Sequence, residues 1–122
     1  MPSPFIPDGY TREATIATEG FDSFQIVYRP MLRAEVDRLL FGVMHAQQTG
    51  DDGLLQQWYR LQLASVAQHL VSWTLLNGDG NPVKINADTV GRLDPPEVFE
   101  SVYNYIRGFV KPDEKTGTAE TE

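Results

Sequence analysis

The chain predicts an α+β domain built from an N-terminal β-hairpin, two central helices, a second β-hairpin and a C-terminal helix. Three observations carry that expectation. Apolar residues alternate with period two over Phe24–Tyr28, recur at helical spacing from Leu32 to Leu70, and return to a strand-like pattern between Ser72 and Ile85. The length agrees with one core, since 122 residues make an ordinary domain able to remove roughly 60–70% of its unfolded surface from water. Hydrophobic residues are 41% and charged residues 22% of the chain, close to the globular average.

Residues 1–10 hold three prolines and a glycine, a composition that suits an irregular arm ahead of a domain spanning 11–110. Thr11–Thr18 and Ser23–Tyr28 are rich in Thr, Val, Ile and aromatics, and Glu19-Gly20-Phe21-Asp22 between them supplies the turn of a hairpin. On the second strand Phe24, Ile26 and Tyr28 share one face, apolar enough to sit on helices. Pro30 ends that strand.

From Met31 to about Gln48, Leu32, Val36, Leu39, Leu40, Val43 and Met44 lie on one helical stripe. Gly50-Asp51-Asp52-Gly53 then breaks the pattern and offers aspartates to cap a second helix over Leu54–Leu70. Its main stripe is Leu55, Tyr59, Val66 and Leu70, widened by Leu54, Trp58, Leu61 and Leu63. Ser72–Leu76 and Pro82–Ile85, joined by Asn77-Gly78-Asp79-Gly80-Asn81, read as the second hairpin. Asn86 or Asp88 caps a short helix reaching Leu93. Asp94-Pro95 repeats the sign of a cap followed by proline in the first turn. The last helix runs to about Arg107 with Val98, Phe99, Val102, Tyr103 and Ile106 inward, and Gly108 stands where helices commonly end. Residues 111–122 carry no branched apolar or aromatic group and are expected to form a disordered acidic tail.

Composition excludes several functions. A formal charge of −7, with ten Lys and Arg residues scattered along the chain, opposes nucleic-acid binding, which depends on neutralising phosphates. Apolar stretches end well short of the ~18 residues of a membrane span, and the start of the chain lacks the sections of a signal peptide. A cytoplasmic protein without membrane partners is the expectation. With no cysteine there are no disulfides, thiolate metal sites or cysteine nucleophiles.

Catalytic and metal motifs are equally scarce. Asn77, Asp79 and Asn81 alternate like calcium ligands and Asp88 falls at the twelfth position, but Pro82 replaces the glycine of the sharp turn and the flanks read as strands. His45 and His69 stand on different helices, away from the spacing that pairs two imidazoles on one face. There is no G-x-S-x-G turn, phosphate-cradling loop or dinucleotide fingerprint. Glu97 and Glu100 share a first helical turn, where carboxylates ordinarily favour the helix dipole. Neither an enzyme nor a cofactor is expected.

What stands out is apolar surface beyond the stripes. Phe41 projects to the side of the first helix that holds Ala34, Asp37, Arg38 and His45. Either another part of the domain, such as the N-terminal hairpin, covers it or a partner does. Trp58 and Leu61 raise the same question on the second helix. Phe41 and Trp58 are the candidate partner-binding residues, because aromatic groups contribute large contact area.

Three segments, Phe24-Gln25-Ile26-Val27-Tyr28-Arg29-Pro30-Met31, Val71-Ser72-Trp73-Thr74-Leu75 with Gly78-Asp79-Gly80-Asn81-Pro82-Val83, and Val90-Gly91-Arg92-Leu93-Asp94-Pro95, resemble the tail assembly chaperones of long-tailed, siphovirus-type bacteriophages and prophages. The likeness spans about Phe24 to Val110. It implies a non-structural assembly factor, in the host cytoplasm, that coats the long helical tape measure protein and keeps it soluble until tail tube subunits polymerise around it. It also implies a longer frameshifted product whose extension recruits the tail tube protein, this chain being the short form. Self-association through the client surface is a further expectation, since a coated rod holds many copies. The alternative class is an acidic regulatory adaptor or DNA mimic. Its carboxylates would cluster at phosphate-like spacing, whereas these spread from Asp8 to Glu122.

Overall fold

The computed structural model of the chain describes residues 6, 7 and 9–111. Most of the arm over 1–10 and the acidic tail beyond Lys111 lie outside the described residues. Tyr10, at the end of the arm, is buried, and its amide donates to the Pro7 carbonyl at 3.2 Å.

The fold is mixed helix and strand, in the order β1 (Arg12–Ile16), β2 (Phe24–Tyr28), α1 (Arg33–Thr49), α2 (Asp52–His69), β3 (Leu70–Trp73), α3 (Ala87–Val90) and α4 (Pro96–Ile106). β1 and β2 form the expected hairpin, with Ala14 opposite Ile26 and Ile16 opposite Phe24. Gly20 makes its turn possible by adopting φ +85°, a left-handed conformation that a side chain would oppose. Ala14, Ile16, Phe24, Ile26 and Tyr28 face inward as the period-two pattern requires.

The second hairpin is where the structure departs from expectation. β3 continues directly from α2 and pairs antiparallel with β2, giving one three-stranded sheet of order β1-β2-β3. Tyr28 lies opposite Leu70 and Ile26 opposite Trp73, with an irregularity between Val27 and Tyr28. The return segment from Pro82 forms no strand. It keeps a single bridge between Leu76 and Pro82, a hydrogen bond from the Val83 amide to the Leu75 carbonyl at 3.2 Å, and one from Trp73 Nε1 to the Val83 carbonyl at 2.7 Å. Pro82 carries no N–H, so a ladder beginning there lacks a donor.

Helix ends follow local chemistry, with one correction. Asp51 caps α2 by accepting the Leu54 amide at 3.0 Å. Asn86 and Thr89 exchange reciprocal bonds at the start of α3, which ends at Val90 and does not reach Leu93. The α4 cap position belongs to Pro95, with Pro96 as first helical residue, so Asp94 is not the cap. One shared core joins the sheet's inner face to Val36 and Leu39 of α1, Val66 of α2, Val90 of α3, and Val98, Val102, Tyr103 and Ile106 of α4. Phe99 packs against it half-buried. Fully burying such a side chain contributes about 1.5–3 kcal/mol, and Ile26, Leu39, Val66 and Ile106 are all 0% exposed.

Candidate functional site

α1 and α2 form an antiparallel helical hairpin, since Glu35 near the start of α1 meets Ser65 and His69 near the end of α2 while Gly42 meets Trp58. The contact at Gly42 is close enough that a Cβ built there would fall inside the Trp58 indole. Trp58 is half-buried and packs against the core, so this candidate partner residue holds the two helices together. A glycine inside a helix costs about 1 kcal/mol relative to alanine, and the close approach of the ring explains its presence.

The same approach sets which residues turn inward. Val36, Leu39 and Ala46 of α1 are buried, but Leu32, Leu40 and Met44 of the expected stripe are exposed. On α2, Ser65 and Val66 are buried while Tyr59 is exposed. The seam therefore runs on the small residues Gly42, Ala46 and Ser65, and the larger apolar groups are displaced outward.

At one end of the seam Glu35 Oε2 accepts a hydrogen bond from Ser65 Oγ at 2.7 Å, and Glu35 Oε1 lies 3.0 Å from His69 Nε2. His69 Nδ1 is 2.8 Å from the Arg29 carbonyl. Both nitrogens thus face oxygens; a neutral ring has one N–H and donates to one of them, an imidazolium to both. Burial alone would raise the Glu35 carboxyl, but the bonds from Ser65 and His69 and the charges of His69 and Arg38 outweigh it and hold the carboxyl below its usual value. Ser65 donates to the carboxylate and not to an imidazole nitrogen, so the three groups are not in the order of a Ser–His–acid triad. The group is a clamp between β2, α1 and α2. Neither Glu35 nor Ser65 carries a recognisable motif; the only sequence sign is two polar residues in the phase of the seam.

In the 77–81 turn, Asn77 Oδ1 accepts the amides of Asp79 and Asn81 at 2.8 and 3.1 Å, so that oxygen closes the turn. Among the described residues no group of three or more His, Cys, Asp or Glu is placed to hold a metal ion. His45 is exposed on the outer face of α1.

That outer face is the distinctive surface. Leu40 is 39% exposed, Phe41 59% and Met44 42%. The N-terminal hairpin does not cover Phe41. Leu40 also lines a groove with Met31, Val36 and Phe109, the last 58% exposed just beyond α4. The groove exists because the Met31 amide donates to the Ile106 carbonyl at 2.8 Å, which ties the entry of α1 to the end of α4.

No family model, curated protein or solved structure matches the chain. Its surface must speak for it. Isolated exposed apolar residues are ordinary, whereas a contiguous group of large ones marks a contact site. Met44 stands four residues from Leu40 and three from Phe41 on one helix, so its side chain neighbours both. Phe109 was missed at the sequence level because it follows the last helical period and carries no pattern of its own.

Proposed function

We propose that this chain is a non-enzymatic assembly chaperone that binds apolar stretches of a helical client and keeps the client soluble, the client being a phage tape measure protein. The observation that carries the reading is the exposure of Leu40, Phe41 and Met44 on a helix that already buries Val36, Leu39 and Ala46. An aromatic, a thioether and a leucine side by side adapt well to varied helical partners. The net charge of −7 keeps a client-bound complex dispersed. The likeness of the Phe24–Met31 strand step and the Val90–Pro95 step to tail assembly chaperones supports the choice of client, with tail tube protein recruited through a longer product. No helix among the described residues is long and apolar enough to cross a membrane.

The test is co-expression with the tape measure protein of the same genome. Phe41→Asp and Met44→Asp are the surface variants, and Trp58→Asp serves as a folding-defective control because it breaks the helical seam. Wild-type chain is expected to hold the client in the soluble fraction while folded Phe41→Asp does not. A client equally insoluble with and without wild-type chain overturns the reading.

A further inference from the structure

We infer that the helix received by the α1 surface carries carboxylates beside its apolar ridge, a conclusion that rests on this surface being the binding site. The chain as a whole is acidic, yet Arg33 of α1 and Arg107 just past α4 line the groove, and Arg38 is exposed on α1. Against them α1 offers one exposed-face carboxylate, Asp37, since Glu35 is engaged by Ser65 and His69. Arg33 and Asp37 pair at 3.2 Å, with 89% of the Arg33 side chain open to solvent. The groove lining thus carries two arginines against one carboxylate around an apolar floor, the reverse of the molecule's net charge.

Arg107 is held in place for such a role. Its guanidinium carbon lies 4.2 Å from the Tyr103 ring centre and 4.1 Å from that of Phe109, and Nε and one Nη donate to Asn104 Oδ1 at 3.0 and 2.7 Å. A guanidinium has five N–H donors, so this arrangement orients the cation at the groove without exhausting it. Leu40 and Met44 are one turn apart and form a ridge, which fits the groove of another helix better than an extended strand. A partner helix with an apolar ridge flanked by Glu or Asp would meet the ridge and the arginines together.

The experiment uses the full chain and two synthetic helical peptides of about 20 residues with the same leucine ridge, one flanked by Glu and the other by Lys at the same positions. Affinities are measured by fluorescence anisotropy near physiological salt, where a Debye length of about 8 Å screens carboxylates elsewhere on the chain. The Glu peptide is expected to bind about tenfold more tightly, and Arg33→Gln/Arg38→Gln to reduce that preference to about twofold or less. Phe41→Asp should abolish binding of both. Equal affinity, a preference for Lys, or a preference that survives the double variant overturns the inference; if Phe41→Asp still abolishes both, the binding reading stands without it. Binding of neither peptide, with sedimentation showing a dimer that Phe41→Asp disperses, assigns the face to a second copy and also overturns the inference.

Discussion

Glu35 and His69 meet at 3.0 Å across the helical seam, and the same carboxylate takes the Ser65 hydroxyl at 2.7 Å. One side chain thus joins the first turn of α1 to the last turn of α2, and through the His69 contact with the Arg29 carbonyl to the end of β2.

The Glu35 carboxyl is held below its unfolded value of 4.5, so its contribution to stability is fully present above that pH and is lost as pH falls through the lower folded value. Glu35→Gln should lower stability near neutral pH by about 1–3 kcal/mol and flatten the acid limb of the stability profile. Urea unfolding between neutral and acid pH measures both. An acid limb unchanged from wild type would remove Glu35 as its source.

Gly42→Ala should destabilise the fold even though alanine favours helix, because the overlap with Trp58 costs about 1–3 kcal/mol against a propensity gain of about 1 kcal/mol. The effect should shrink by at least half in a Trp58→Leu background, where the indole is gone. A double-mutant cycle by chemical denaturation reads the coupling. Additive costs would show that the two residues do not meet.

Tyr28 is fully buried, and among the described residues its hydroxyl has no hydrogen-bond partner. Burial pushes the phenol up to about 12, with nearby Arg12 lowering it without hydrogen-bonding geometry and Tyr105 raising it further. Folded Tyr28 therefore stays protonated where the unfolded phenol ionises, and stability falls as pH rises from about 10 towards 12. Tyr28→Phe should leave the neutral-pH melting temperature unchanged or raised, since it removes a buried group that lacks a partner, and should flatten the alkaline limb. A clear drop in melting temperature would reveal a bond to the hydroxyl.

Phe41→Ser and Met44→Ser should each change stability by no more than about 0.5 kcal/mol, because neither side chain is part of the core. Binding of a hydrophobic dye should fall in both. A loss of stability comparable to that of a core truncation would mean that the face is covered within the chain.

Much of the architecture was legible because it is local. Period two over Phe24–Tyr28 named the inward face of β2, helical spacing located α1 and α2, and Asp51 and Asn86 marked helix starts through bonds reaching only three residues. Phe41 could be singled out as well, since a residue off every apolar stripe is visible in the phase alone. The partner of β3 was not legible: a strand's alternation states which face is apolar, and nothing in it says which backbone will satisfy its hydrogen bonds. Leu70–Trp73 pairs with β2, far away in sequence, because α2 delivers it there and Pro82 offers no donor to the local alternative.

The chain by itself determined its element types, its acidic balance and the apolar residues available for contact, all properties of single residues and their spacing. Only the tertiary structure decided which of those residues remained available. Where Trp58 closes on Gly42, Glu35 bonds to α2 and Ala46 is buried, while Leu40, Phe41 and Met44 remain in solvent. Trp58 thereby became an internal support, while Phe109 and Arg107, brought alongside by the tie between Met31 and Ile106, extended the outer surface. Helical periodicity defines a face about 100° wide or more. Which part of that width is buried depends on how two backbones pack, and that distance is set by a pair of residues sixteen positions apart.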